Sequence, residues 1–185
     1  LFPAAGIIDH ASGTRDIPAL GGLRDKMALT FIAAALGALS MVGAPPALGF
    51  LAKEEMYGQL GPGSISGLLL LAVLVLANGL VGAIGLALAI RPFLGEQTPT
   101  PKSPHEGTLG LVAGPILMGL AGFGVAFGVG EFGHFVLAPA ASAITGHAVA
   151  SHLALKIDPL SAALWLSIVT WAIAGVAFWQ LPRIR

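Results

Sequence analysis

One lysine inside an otherwise apolar stretch of membrane length is where this sequence carries chemistry. Ala28 to Leu60 reads ALTFIAAALGALSMVGAPPALGFLAKEEMYGQL, broken at Pro45-Pro46 and closed by Lys53, Glu54 and Glu55. As one straight helix these residues would extend roughly 50 Å, against a hydrocarbon core of about 30 Å. The segment must therefore bend or break. Proline removes a backbone donor and crowds the preceding turn, so Gly43-Ala44-Pro45-Pro46 is the expected break. Backbone groups freed at membrane depth are tolerated only against protein or a water-filled cavity, and an ionisable side chain beside them marks an ion path. The chemistry this predicts is proton handling by Lys53. The competing reading is a lysine at a helix end whose stem lies along lipid while its charge reaches water. Glu54 is a possible accessory group, and with Glu55 it also fits a solvated acidic pair near a helix start.

The elements that must position this lysine are membrane helices. The chain of 185 residues is 56% hydrophobic and 10% charged, whereas soluble domains carry about 25% charged residues. Zero net charge gives no sign of a nucleic-acid partner, and with no cysteine there is neither a disulfide framework nor a thiolate metal site. Residues 1–8 are too short to span and are expected to be the tail of a helix whose body lies upstream. Residues 9–26 read as a polar loop punctuated by Gly13, Pro18, Gly21 and Gly22. The broken segment and a second span, about Ser66 to Ile90, make up residues 27–92, joined by a turn at Gly61-Pro62-Gly63-Ser64. A proline-rich loop occupies 93–108. Residues 109–185 hold two further spans, Leu109 to Val129 and Pro159 to Leu181, joined by a mixed stretch at 130–158 expected along the interface. In the third span Gly124 and Gly128 form a GxxxG pair suited to close backbone approach. The fold class is thus an all-α integral membrane protein with about four transmembrane helices, the first discontinuous.

Charge supports this layout. Four crossings gather Arg15, Arg24, Lys26, Arg91, Lys102, Arg183 and Arg185 on one side and leave Lys156 on the other. That asymmetry makes the first side cytoplasmic.

Several blocks then carry a family resemblance: GIIDHASGTRDI (Gly6 to Ile17), LGGLRDKMALT (Leu20 to Thr30), GAPPALGFLAKE (Gly43 to Glu54), SPHEG (Ser103 to Gly107) and LAPAASAITG (Leu137 to Gly146). Together they resemble the A-type component of the multisubunit Mrp-type sodium/proton antiporters and, more broadly, the antiporter-like subunits of respiratory complex I. The resemblance implies a multi-pass protein of a bacterial cell membrane, working with other antiporter subunits and membrane lipid, and moving protons and sodium. It implies no cofactor. Lys53 aligns with the functional lysine of the family's second discontinuous helix. The His and Lys of the central proton path would lie upstream of Leu1. Two further readings stay open: a proton-pumping membrane subunit of a complex I type oxidoreductase or related hydrogenase, and a structural helical fragment without transport.

The remaining polar residues read more plainly. Asn78 is suited to an interhelical hydrogen bond, with a channel role as its second reading. Asp9, His10, Arg15 and Asp16 are expected to form a loop network that holds helix ends. The histidines lack zinc-ligand spacing, so no metal site is expected. The layout predicts that single cysteines placed at Arg15, Lys102 and Arg185 label from the cytoplasmic side and one at Ser64 from the opposite side. Labelling of Lys102 and Ser64 from the same side would contradict it.

Overall fold

The computed structural model describes residues 1–60, 64–155 and 157–181. The expected turn at Gly61 to Gly63, together with Lys156, Arg183 and Arg185 of the charge count, lies outside them. Among the described residues there is no strand. The chain forms helices α1 (Phe2–Ser12), α2 (Ala28–Val42), α3 (Leu48–Gln59), α4 (Ile65–Ile90), α5 (Leu109–Phe127), α6 (Val129–Phe132), α7 (Ala138–Thr145) and α8 (Ala162–Gln180). Of these, α4, α5 and α8 are long and apolar enough to cross a membrane, while α2 is a shorter apolar helix. Pro45-Pro46 separates α2 from α3, so the segment expected as the discontinuous span consists of two short helices.

The first helix extends further than the polarity of Asp9 and His10 suggests. Ile7, Ile8 and Ala11 fall on one face and are buried, which carries α1 through to Ser12. It stops at Gly13, whose left-handed φ of 75° lets its N–H reach back to the Asp9 carbonyl at 2.9 Å. The stretch after α5 is also more helical than expected. α6, a π-type turn at Gly133–Leu137 and α7 follow one another up to Thr145.

α4 is the hub, packing against α2 on one side and α8 on the other. A Cβ at Gly79 would press on Ile173, and one at Gly82 would meet Ala174 at 3.1 Å. Both numbers rise together along the two helices, so α4 and α8 run parallel. Among the described residues no other helix uses the close approach that Gly124 and Gly128 permit: a Cβ at Gly124 would meet nothing within 4 Å, and one at Gly128 only the Gly124 carbonyl at 3.7 Å. Small residues permit close approach but do not choose the partner, and here the contact falls on α4. The other broad faces, including Leu69 and Val73 of α4 and Leu117 and Met118 of α5, are exposed, as lipid-facing or subunit-facing helices require.

Two loops at one end are tied together. Leu23 N–H donates to the Pro92 carbonyl and Arg24 N–H to Phe93, while Lys102 N–H donates to Ser12 and Thr98 Oγ1 to Ala19. These are the 9–26 and 93–108 loops that the charge pattern assigns to one side. Glu106 from the second loop reaches the start of α2. Its Oε2 accepts from Leu29 N at 2.7 Å and Thr30 N at 3.4 Å, and its Oε1 accepts from the Thr30 hydroxyl. A carboxylate from a distant loop thus serves the two N–H groups an N-cap residue would serve, at the positive end of the helix dipole. Glu106→Ala should lower the stability of the full-length protein by about 1–2 kcal/mol, read by thermal unfolding in detergent. An unchanged melting temperature would show that the cap is not needed.

Candidate functional site: the broken helix and its lysine

The break begins as a helix end sealed by glycine. Gly43 takes φ 74° and ψ 45°, and its N–H bonds to the Leu39 and Ser40 carbonyls at 3.1 Å while Ala44 N–H bonds to Leu39 at 2.9 Å. These bonds satisfy two of the last four carbonyls of α2, which have no partner within the helix. Pro45-Pro46 follows with a cis peptide, and α3 starts at Leu48. A Cβ at Gly49 would overlap the Ser40 carbonyl, so the first turn of α3 lies directly against the end of α2.

Lys53 is on the second turn of α3. Helical side chains lean toward the helix N-terminus, which turns this one back to the break. Its Nζ donates to the Met41 carbonyl at 2.6 Å, and the residue is 8% exposed. A third freed carbonyl of α2 is thereby satisfied by an ammonium at the negative end of the α2 dipole. The Gly43 carbonyl accepts from Trp171 Nε1 of α8 at 3.1 Å, pinning the break from the other side. Among the described residues no carboxylate comes within ion-pair distance of Lys53; the ion pair found is Arg15–Asp9. Glu54 is half-buried on the adjoining face of α3, and the exposed Glu55 lines a separate cavity of about 370 Å³ with Gln59 and His152.

A second cavity, of about 650 Å³, opens beside the break between α1, α2 and α5, lined among others by Leu1, Ser40, Met41, Ala47 and Phe123. It borders the residue whose carbonyl holds the Lys53 ammonium.

Asn78 of α4 donates from Nδ2 to the Tyr57 hydroxyl at 3.1 Å, and that hydroxyl lies 3.0 Å from Thr170 Oγ1 of α8. Thus α3, α4 and α8 share one buried polar cluster. Of the four loop residues, Asp9 and Arg15 meet through side chains at 2.7 Å, with Arg15 largely exposed. His10 takes part through its carbonyl, which accepts from Lys102 Nζ at 3.4 Å, and Asp16 through its N–H, which donates to Thr14 Oγ1. No group of three or more metal-ligating side chains is found among the described residues.

Sequence reading did not single out Tyr57, Thr170 or Trp171 as parts of this site, nor Glu106 as the cap of α2. Tyr57 follows Lys53 at the spacing that puts both on one helix face, which is a usable signal. The others are single polar groups in an apolar span or a loop, and only the packing selects them.

Known proteins supply the context. Residues 1–81 match the family described as NADH:quinone oxidoreductase/Mrp antiporter, transmembrane. The chain is 34% identical over 158 residues to the A1 subunit of the Na(+)/H(+) antiporter of Staphylococcus haemolyticus, covering 79% of this chain and 19% of that protein. It is 33% identical over 129 residues to the corresponding Na(+)/H(+) antiporter A-type component of Alkalihalophilus pseudofirmus (64% and 16%), and 31% identical over 156 residues to the A1 subunit of Staphylococcus aureus (78% and 19%). It therefore spans about a fifth or less of the length of these curated relatives.

The close fit around Gly43 can be tested against a control. A Cβ there would stand 2.8 Å from Lys53 Cδ, whereas one at Gly146, also at φ 74°, would meet nothing within 4 Å. Gly146→Ala should cost only the backbone penalty of about 1–2 kcal/mol. Gly43→Ala should cost more, because it also displaces Lys53; equal losses in thermal unfolding would contradict the contact. Residues 1–81, which hold the broken helix and its lysine, thus match part of the transmembrane family described as NADH:quinone oxidoreductase/Mrp antiporter, and most of the chain is similar to Na(+)/H(+) antiporter subunits.

Proposed function

We propose that this chain is part of a subunit of a multisubunit cation/proton antiporter in a bacterial cell membrane, and that its discontinuous helix supplies Lys53 to the proton path. The observation that carries the reading is the Lys53 ammonium, buried and bonded to the Met41 carbonyl at the helix break. A lysine kept only as an interfacial anchor would direct its charge to the headgroups. Here the charge is turned inward, onto backbone that the break has freed. Among the described residues no carboxylate lies within ion-pair distance of this ammonium, which is held by its hydrogen bond to the Met41 carbonyl, an arrangement suited to giving the proton up and taking it back.

Sodium and protons are proposed as the transported ions, and other antiporter subunits as partners, on the printed names of the relatives. The chain would do no redox chemistry of its own. The family description also covers NADH:quinone oxidoreductases, but the three relatives named, matched beyond residue 81, are antiporter subunits. Glu54 would act as an accessory acid on the same helix, and Asp9 with Arg15 as a brace for the end of α1.

Substitution in the full-length subunit, within the assembled complex, tests the role of Lys53. Lys53→Ala should abolish antiport in everted vesicles at matched expression. Lys53→Arg keeps the charge but scarcely releases a proton, since the arginine pKa exceeds about 12, and should fail as well. Near-normal antiport in Lys53→Arg would return Lys53 to the role of a charged anchor.

A further inference from the structure

The end of the molecule that holds the joined loops has a cavity that the path through Lys53 does not use. It measures about 460 Å³ and lies between α1 and the end of α4. Its walls are apolar, with Phe2 and Gly6 of α1 on one side and Leu88 and Pro92 on the other. Phe2 is 91% exposed and a Cβ at Gly6 would meet nothing within 4 Å, so the described protein leaves this space open. The rim is polar, formed by Asp9, Thr14 and Arg15. From Phe2 to Asp9 the helix rises roughly 10 Å at 1.5 Å per residue. An apolar cleft that ends in charged groups over that depth has the layout of the boundary between acyl chains and headgroups.

The rim keeps unused hydrogen-bonding groups of both kinds. Arg15 donates from Nε to Asp9 Oδ2 at 2.7 Å, which commits one of the five guanidinium N–H donors. Its Nη groups have no partner among the described residues, and the side chain is 86% exposed. Asp9 Oδ1 likewise accepts no hydrogen bond among the described residues. Thr14 Oγ1 accepts from Asp16 N–H at 3.1 Å, which leaves the hydroxyl hydrogen to donate. A phosphate alone would be drawn to Arg15 and repelled by Asp9. A headgroup that carries a phosphate and an ammonium a few atoms apart matches both charges.

We propose that this cleft binds a zwitterionic aminophospholipid of the phosphatidylethanolamine type. One acyl chain lies along Gly6 and Leu88, the phosphate accepts from the Arg15 Nη groups and the Thr14 hydroxyl, and the ammonium donates to Asp9 Oδ1. Each half of the headgroup then makes charge-assisted hydrogen bonds. A choline headgroup has the cation but no N–H for the carboxylate, and a glycerol headgroup has no cation. A helix from elsewhere in the full-length subunit would have to bring both charges to one level of the rim. The inference is independent of the path through Lys53. The Asp9–Arg15 pair braces the end of α1 by itself, and the lipid fills the space beneath it.

The assembled complex carrying the full-length subunit tests this with a phosphatidylethanolamine that bears a photoreactive diazirine in its acyl chain, adducts being mapped by peptide mass spectrometry. Labelling is expected on the part of α1 that holds Phe2 and Gly6 and around Leu88. Unlabelled phosphatidylethanolamine should compete about tenfold better than phosphatidylcholine or phosphatidylglycerol with the same acyl chains, since losing a charged hydrogen bond is worth about that factor. Arg15→Gln and Asp9→Asn should each lower labelling by a similar factor. Gly6→Leu should abolish it by filling the cleft, with the melting temperature in lipid-free detergent maintained. If Arg15→Gln does not assemble, Gly6→Leu and the lipid competition decide. Absence of adducts at these positions would mean that protein outside this chain fills the cleft, and would overturn the proposal. Equal competition by the three lipids would show an unselective apolar groove, and preference for phosphatidylglycerol an anion site at Arg15. Either result, or unchanged labelling in Arg15→Gln, would overturn the aminophospholipid site.

Discussion

The constraint on which the rest of this structure depends is that a helix broken at membrane depth must find partners for the backbone it frees. The C-terminal end of α2 releases its last carbonyls into surroundings where water is scarce. Gly43 and Ala44 satisfy Leu39 and Ser40, Lys53 satisfies Met41, and Trp171 satisfies Gly43. An apolar side chain at position 53 would leave the Met41 carbonyl without this donor. The same contact gives the lysine a fixed place at the negative end of a helix dipole, so one hydrogen bond both completes the fold and positions a titratable group. Neighbouring helices then have to come close. Gly49 lets α3 lie on Ser40, and Gly79 and Gly82 let α4 reach α8, which brings Trp171 and Thr170 to the break and to Tyr57.

The loops act on the same element from the other end. Glu106 holds the first turn of α2 across 77 residues of sequence, and the 9–26 and 93–108 loops are joined to each other by backbone and side-chain bonds. Thus α2 is fixed at its start by a carboxylate and at its end by an ammonium, each complementing the dipole at that end. Between these points its body is apolar and packs through Ala33, Ala34 and Ala38. Such a half-helix keeps its position while the break beside it remains open to a cavity.

Much of this was legible in the sequence because lipid leaves few choices. A single segment crossing hydrocarbon can satisfy its own backbone only as a helix, so the long apolar runs marked α4, α5 and α8 to within a few residues, and Pro45-Pro46 marked the break. Gly13 ended α1 where a left-handed residue was available, but only burial of Ile7, Ile8 and Ala11 carried the helix past Asp9 to reach it. The closeness of Lys53 to the break was legible; its attachment to Met41 depended on how α3 folds back. In helices apolar on every side, periodicity does not single out one face. For that reason the sequence pointed to Gly124 and Gly128, whereas packing uses Gly79 and Gly82. Thr170 was likewise invisible among its apolar neighbours. Glu106 had no local signal, since its partners lie in another helix.

The central claim is that the Lys53 charge is held inside the protein at the break. A density map of the assembled full-length complex in lipid nanodiscs, sharp enough to resolve side chains and ordered water, tests it most directly. The account predicts the Lys53 ammonium on the Met41 carbonyl, with ordered water and no acyl-chain density around it. A Lys53 side chain extended to the headgroup level, with lipid tails along its stem, would contradict it.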